Sequence, residues 1–166
     1  MKRQGSRFSV ADREFSEAHH VDRYGILIVM AQDVDLRVRF TVDDAHLSAL
    51  HARAFGHSGG EVKPWGARLK RHSLTWIGAF SDDQLIGFVH ACWDGGVHAF
   101  VLDTIVDPGH QRRGIGKRLV QTLVHEIKAA CCEWVHVDYE PHLEVFYHDS
   151  CGFSRTHAGL LRLASR

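Results

Sequence analysis

Residues 111–116, with the sequence QRRGIG, combine two glycines and two arginines in a short stretch. They follow an apolar run at 100–106 and precede a segment whose apolar side chains recur with helical spacing. The stretch is therefore predicted to be a loop between a strand and the N-terminus of a helix. Backbone N–H groups are unpaired at such an N-terminus, and the helix dipole adds positive charge there. Because glycine also allows the backbone to approach a ligand closely, the pattern predicts a phosphate-binding loop.

Spacing excludes two common phosphate loops. A Walker A loop requires Gly, four residues, Gly, Lys and then Ser or Thr, but Ile115 and Gly116 follow Gly114. The dinucleotide-binding fingerprint requires Gly-x-Gly-x-x-Gly, but Leu119 stands where the third glycine belongs. The pattern that remains is Gln-x-x-Gly-x-Gly.

This pattern resembles the pyrophosphate loop of the GCN5-related N-acetyltransferase (GNAT) superfamily, which binds acetyl-coenzyme A (acetyl-CoA). A second stretch, residues 146–153 (FYHDSCGF), resembles the Phe-Tyr-x-x-x-Gly-Phe element near the C-terminus of the same superfamily. The two motifs also have the family's order and separation, and the resemblance covers roughly residues 36–163. It implies a mixed α/β, three-layer fold whose mostly antiparallel central sheet splays around an acetyl-CoA cleft.

The resemblance also implies roles for individual residues. The backbone of Ile105 and Val106 is expected to contact the pantetheine arm and to supply an N–H donor for the oxyanion. Tyr147 stands where the family often has the general acid that protonates the leaving thiolate. The pyrophosphate is expected to lie on six successive residues of the loop, which are Gln111, Arg112, Arg113, Gly114, Ile115 and Gly116.

The sequence leaves the general base open. Asp103 is one candidate because it lies near the C-terminal end of the predicted strand, although a structural buried carboxylate is an equal interpretation. The family often has Asn seven residues before the tyrosine, but Glu140 occupies that position here. Glu140 is therefore a second candidate. Three histidines are weaker candidates, namely His90, His98 and His142.

The composition restricts the class of protein. The chain has 166 residues, of which 45% are hydrophobic, and this favours a globular fold. Lys plus Arg and Asp plus Glu both number 20, so the formal net charge is zero. Electrostatics therefore give no reason to expect nucleic acid or a membrane surface as a partner. The four cysteines lack metal-ligand spacing, so we expect free thiols, no metal and a cytoplasmic location.

We predict two parts in the chain, an N-terminal extension at residues 1–34 and an N-acetyltransferase domain at residues 35–166. Met30 opens a segment that resembles a natural start for such a domain. Residues 1–29 are thus either upstream sequence from a misassigned start codon or a real arm that adds a strand. The two interpretations stay open at this point.

Apolar periodicity and turn residues predict the elements that position the motifs. The predicted strands lie at 36–40, 74–80, 85–93, 97–106 and 134–139, and the turn residues at 81–84 predict that the second and third form a hairpin. Two more strands, at 153–156 and 160–163, are predicted to pair with each other. The predicted helices run from an N-cap at Thr41 to Ala54, over 67–72, over 116–131 and from Pro141 to Gly152.

The resemblance implies direct transfer of acetyl from acetyl-CoA to an amine. The size of the chain favours a small-molecule acceptor over a protein, and a homodimer is one compatible assembly. Because a thioester is already activated, the reaction requires proximity, oxyanion stabilisation and proton transfer. Two other classes stay open. One is a non-catalytic acyl-CoA-binding sensor or interaction module, and the other is a nucleotide-binding domain with a different phosphate loop. The acceptor pocket is expected at about residues 43–72.

Overall fold

The computed structural model describes residues 34–57 and 61–163. The strands in these residues are β1 (Asp35–Val38), β2 (Thr75–Ser81), β3 (Gln84–Trp93), β4 (His98–Val106) and β5 (Trp134–Val137). They form one sheet in the order β1-β2-β3-β4-β5. Neighbouring strands are antiparallel from β1 to β4, whereas β4 and β5 are parallel. The predicted mixed α/β fold with a mostly antiparallel sheet is confirmed.

Helices cover both faces of this sheet. One face packs on α1 (Asp44–Ala54) and α2 (Trp65–His72), and the other packs on α3 (Ile115–Ala129). α3 presents a stripe of buried side chains at helical spacing to the sheet, and full burial of each large apolar side chain stabilises the fold by roughly 1.5–3 kcal/mol. This stripe consists of Ile115, Leu119, Val120, Leu123 and Ile127.

The turn between β2 and β3 follows from two aspartates. Asp82 and Asp83 have φ angles of 48° and 61°. Positive φ at both central residues is typical of a type I′ turn, whose twist matches that of a two-residue hairpin. The predicted hairpin is therefore confirmed, and its strands differ from the predicted ones by one residue at their ends.

The N-cap of α1 differs from the predicted one. Asp43, not Thr41, precedes the first helical residue, and its carboxylate accepts a hydrogen bond from the His46 N–H at 2.9 Å. Thr and Asp are both preferred N-cap residues. Because the helix begins at Asp44, the N-cap position belongs to Asp43. The Asp44 carboxylate instead accepts a hydrogen bond from the Gly66 N–H at 2.7 Å, which ties α1 to the start of α2.

The C-terminal part also departs from the prediction. Pro141–Leu143 forms a 3₁₀ turn and Phe146–Ser150 a π-helical turn in place of one regular helix. The Cys151 N–H bonds to the carbonyl of Phe146, five residues earlier, which defines this wide turn.

The predicted pairing of 153–156 with 160–163 is wrong. Neither segment contains a strand residue, and most of the surface of Leu160, Leu161 and Leu163 is exposed. Short strands are stabilised by side-chain packing against a partner strand and a covered face. These leucines lack that burial, so their apolar character does not produce a hairpin.

The edge of β4 creates the space for a site. β4 and β5 pair only from His98 to Val101, and the last residues of β4 pair with β3 alone. The register between β3 and β4 also shifts after Phe88, which marks a bulge near Asp103. A bulge bends a strand and redirects its side chains. The two strands therefore splay apart as predicted.

The predicted extension at residues 1–34 lies, apart from Val34, outside the described residues and stays a prediction. The carbonyl of Val34 accepts a hydrogen bond from Arg118 of α3 at 2.8 Å.

None of the helices that the structure describes is long and apolar enough to cross a membrane.

Candidate active site

A cavity of about 840 Å³ lies beside the end of β4, beyond the residues of β4 that pair with β5. Its volume falls in the range of about 300–1,000 Å³ that is typical of small-molecule and cofactor sites. Its walls include the end of α1, the end of β4, the glycine-bearing loop and the 140–150 segment. Nine of the predicted site residues line it, namely Ile105, Val106, Gln111, Arg112, Gly114, Ile115, Gly116, Glu140 and Tyr147. Arg113 and Asp103 are not among the lining residues.

The loop at the base of the cavity has the geometry of an anion cradle. Gly114 is the N-cap of α3 with a φ of 76°, and no side chain caps the helix there. The Arg118 N–H makes the bond to the Gly114 carbonyl, so the three preceding N–H groups lie before the intrahelical ladder begins. A Cβ atom built on Gly114 would meet no protein atom within 4 Å. The space beside the helix N-terminus is therefore open to a ligand.

Asp107 and Gln111 hold this loop against the rest of the fold. The Asp107 carboxylate accepts hydrogen bonds from the Gly109 N–H at 3.0 Å and from Arg53 of α1 at 2.9 Å. The Gln111 amide donates to the carbonyl of Val106 at 3.2 Å. Through this hydrogen bond, the side chain of Gln111 anchors the loop to the end of β4.

The donor set fits the pyrophosphate and pantetheine arm of CoA. Arg112, Lys117 and the helix N-terminus supply positive charge to one end of the cavity. Thr104 also lines the cavity, and its buried Oγ1 has no hydrogen-bond partner within the described part of the chain. Buried polar atoms are rarely left unpaired in folded proteins, and the groups that can pair with this hydroxyl are the nearby Tyr147 hydroxyl and a bound ligand.

Of the two loop arginines, Arg112 lines the cavity and Arg113 does not. We expect Arg112→Ala to weaken acetyl-CoA binding, and to weaken it more at low salt than at high salt, because the lost contact is partly Coulombic. Arg113→Ala removes the same charge from a side chain outside the cavity lining and serves as the matched control. Calorimetric titrations at two ionic strengths measure both effects. Equal losses in the two variants would contradict the assignment of Arg112.

Tyr147 lies in the wall near β4 and is 5% exposed. Its ring stacks on Tyr139 with a centroid distance of 5.2 Å and meets Phe153 edge-on at 5.8 Å. Burial raises the pKa of Tyr147, and the nearby Thr104 hydroxyl offsets part of that rise. The phenol is therefore protonated at neutral pH, which is the state that a proton donor requires.

The two carboxylates predicted as bases lie in different environments. Glu140 is exposed at the cavity wall. Asp103 has a φ of 51° and accepts hydrogen bonds from Arg68 at 3.0 Å and from His90 Nε2 at 3.0 Å, and its other oxygen lies 3.3 Å from His51 Nε2. Burial alone would raise the pKa of Asp103, but the His90 hydrogen bond and the charges of its partners outweigh burial and lower it.

Several residues that line the cavity are not among the predicted site residues. Phe55 comes from the end of α1, and Thr104 follows Asp103 on β4. His110 precedes the loop motif directly, and this proximity is the one signal that could have identified it. Within the described residues, no group of three or more His, Cys, Asp or Glu side chains has a metal-binding arrangement.

Sequence comparison gives a match along most of the described residues. A profile of the Acetyltransferase (GNAT) family matches residues 42–153. The GCN5-related N-acetyltransferase 3, chloroplastic, of Arabidopsis thaliana is 28% identical over 167 aligned residues, which cover 96% of this chain and 61% of that protein. The chain spans between 38% and 61% of the length of the curated relatives it matches.

Solved structures share the fold. An acetyltransferase from Trypanosoma brucei matches with a TM-score of 0.67 and 21% identity, over 80% of this chain and 100% of that one. The aminoglycoside N-acetyltransferase AAC(6')-Iy in complex with CoA matches with a TM-score of 0.65 and 19% identity, over 83% of this chain and 99% of that one. The fold, the splayed strands and the profile match agree, and the chain belongs to the GNAT family of acetyltransferases.

Proposed function

We propose that this chain transfers an acetyl group directly from acetyl-CoA to an amine, and that the acceptor is a small molecule rather than a protein. One observation carries the proposal. A single cavity beside the end of β4 has a positively charged anion cradle as part of its wall and a buried, protonated tyrosine as another part. The cradle suits the pyrophosphate of acetyl-CoA, and the tyrosine suits the thioester at the other end of the same molecule.

The loop and the end of β4 bind and orient the co-substrate in this proposal. Acetyl-CoA supplies an activated thioester, so the protein has to position it against the amine. The Asp107 N–H donates to the carbonyl of Ile86 on β3 at 2.8 Å. Because N–H groups alternate in direction along a strand, the Val106 N–H is directed away from β3, whereas that of Ile105 is directed toward it. Val106 is therefore the favoured donor for the developing oxyanion.

Proton transfer requires a donor and an acceptor. The Tyr147 hydroxyl is our candidate donor to the departing thiolate, because it is protonated and lines the cavity. Glu140 and Asp103 stay candidates for the base that receives the proton of the amine. Glu140 lies in the cavity wall, and Asp103 precedes the lining residue Thr104.

Binding of acetyl-CoA is the first expected result. We expect stabilisation of roughly 2–3 kcal/mol at a ligand concentration about 100-fold above the dissociation constant. For a domain of this size, that corresponds to a rise in melting temperature of several degrees, at about 2–4 °C per kcal/mol. Thermal-shift measurements in the presence of a chelator, with ATP and NAD as controls, test it. The absence of a shift with acetyl-CoA, or a larger shift with ATP or NAD, would contradict the proposal.

Turnover separates an enzyme from a sensor. Release of free CoA thiol is measured across panels of arylalkylamines, polyamines, aminoglycosides, amino acids and peptide N-termini. We expect release with at least one small amine. Acetyl-CoA binding without release on any panel member would favour the non-catalytic acyl-CoA-binding module.

The proposed location is the cytoplasm, and it rests on the thiols. All four cysteines are free, as is common in reducing compartments. The name of the Arabidopsis relative is that of a chloroplastic protein, so cell fractionation is the direct test. A homodimer stays a prediction.

A further inference from the structure

Asp103 has the wrong environment for a base. Its two oxygens face nitrogen groups from three elements, which are His51 on α1, Arg68 on α2 and His90 on β3. These partners lower the pKa of the carboxyl group, and a carboxylate with a lowered pKa accepts a proton less readily. The same arrangement is well suited to another task, because a carboxylate that accepts a hydrogen bond from an imidazole N–H fixes the tautomer and orientation of the ring.

The two imidazoles beside Asp103 differ in what their second nitrogen can do. The His90 side chain is 1% exposed, and its Nδ1 is 2.8 Å from the Ser73 hydroxyl while its Nε2 is bonded to Asp103. Both nitrogens of His90 are therefore occupied. The His51 side chain is 19% exposed, and its Nδ1 has no hydrogen-bond partner among residues 34–57 and 61–163. His51 thus has one nitrogen fixed by Asp103 and one available.

His51 is not itself a lining residue of the proposed acetyl-CoA cavity, but its ring contacts one. Its ring lies 4.6 Å from the ring of Phe55, which is one helical turn later and lines the cavity. On the β4 side, its partner Asp103 immediately precedes Thr104, another lining residue. The ring of Trp65 on α2 packs on His51 at 5.3 Å. The imidazole is therefore held between α1, α2 and β4 beside the wall of the cavity.

We propose that His51 is the general base of the acetyl transfer and that Asp103 is its positioning residue. This inference rests on the proposed function, and it replaces direct proton abstraction by Asp103 or Glu140. Asp103 accepts the hydrogen bond from His51 Nε2–H, which leaves the lone pair of Nδ1 free to take a proton. Histidine is also the side chain that most often serves as a general acid or base in enzymes.

The proton and electron balance closes without a further reactant. The amine nitrogen forms the new C–N bond to the acetyl carbonyl carbon and loses one proton to His51 Nδ1. The C–S bond of the thioester breaks, its electron pair stays on sulfur, and the thiolate takes a proton from the Tyr147 hydroxyl. The imidazolium of His51 then returns its proton to solvent, and Tyr147 is reprotonated from solvent. The charge of Asp103 is unchanged throughout.

The tautomer of His51 is the first test, and it needs no acceptor. Two-bond ¹H–¹⁵N spectra of the wild-type protein, with resonances assigned through the backbone, report which ring nitrogen carries the proton. We expect neutral His51 to be protonated at Nε2, with saturating CoA and without it, and Asp103→Asn to weaken this preference. A proton on Nδ1 in the wild-type protein would overturn the proposal.

Kinetics are the second test. We expect His51→Gln to lower kcat by about 10²–10⁴-fold, the usual contribution of a positioned base, and to remove the acid limb of the pH profile. The control His125→Gln changes an exposed histidine on α3 and should match the wild-type protein. Acetyl-CoA should shift the melting temperature of His51→Gln as it does that of wild type. A kcat within about twofold of wild type, with chemistry rate-limiting, would overturn the assignment of His51, whereas a wild-type protein that acetyl-CoA does not stabilise would overturn the proposed function itself.

Discussion

Replacing Tyr147 with Phe is expected to lower turnover by about 10²–10⁴-fold, the usual contribution of a positioned general acid. The phenyl ring keeps its stacking on Tyr139 and its edge contact with Phe153, so packing should change little. Only the hydroxyl is lost, and with it the proton for the departing thiolate. The KM for acetyl-CoA should stay nearly constant, which is the pattern for an interaction made in the transition state alone.

A neighbouring tyrosine supplies the control for this experiment. Tyr139→Phe removes a hydroxyl from the stacked ring, and Tyr139 is not a lining residue of the cavity. Its hydroxyl is 2.6 Å from His148 Nε2, so that variant reports the cost of a lost structural hydrogen bond. Steady-state kinetics and melting temperatures are measured for both variants. If Tyr147→Phe kept its turnover while chemistry limited the rate, or lost as much stability as a core mutant, Tyr147 would be a packing residue.

Replacing Gly114 with Val is expected to raise the dissociation constant for acetyl-CoA by at least about 100-fold, which corresponds to roughly 2.7 kcal/mol of binding free energy. Two effects combine. A β-branched side chain at a φ of 76° strains the backbone that presents the helix N–H groups. The new side chain also projects into the open space beside α3, which is where the phosphates would bind.

Gly95 provides a matched control for the backbone effect. It lies in the turn before β4 with a φ of 81°, and a Cβ atom there also meets no protein atom within 4 Å. Gly95→Val therefore adds the same side chain at a similar conformation, away from the cavity. Calorimetry with acetyl-CoA and thermal unfolding compare the two variants. Similar losses of stability with binding lost only in Gly114→Val would locate the phosphates at α3, and unchanged binding in Gly114→Val would mean that they lie elsewhere.

The cofactor end of the site could be predicted from the sequence because its determinants are local. Gly114 must follow a strand directly and begin a helix if the helix N–H groups are to face a ligand, and this order is visible in consecutive residues. The helical spacing of Leu119, Leu123 and Ile127 likewise reveals which face of α3 is buried. The β2–β3 hairpin is predictable for the same reason, since two adjacent aspartates form its turn.

Two of the segments that differ from the prediction are those in which local patterns compete with similar strength. Thr41 and Asp43 each have the side chain of an N-cap, and only the observed first residue of α1 distinguishes them. The leucines near 160 have strand-forming character, but a strand also requires a partner edge that local sequence does not provide.

The sequence by itself determined the family and fold, through two motifs and the periodicity between them. Only the tertiary structure decided the surroundings of Asp103. His51 and Arg68 lie 52 and 35 residues before it along the chain, on two different helices. They meet Asp103 because the bulge in β4 turns its carboxylate toward the face that α1 and α2 cover. Contacts of this kind depend on strand register and helix packing, which no pattern of neighbouring residues encodes.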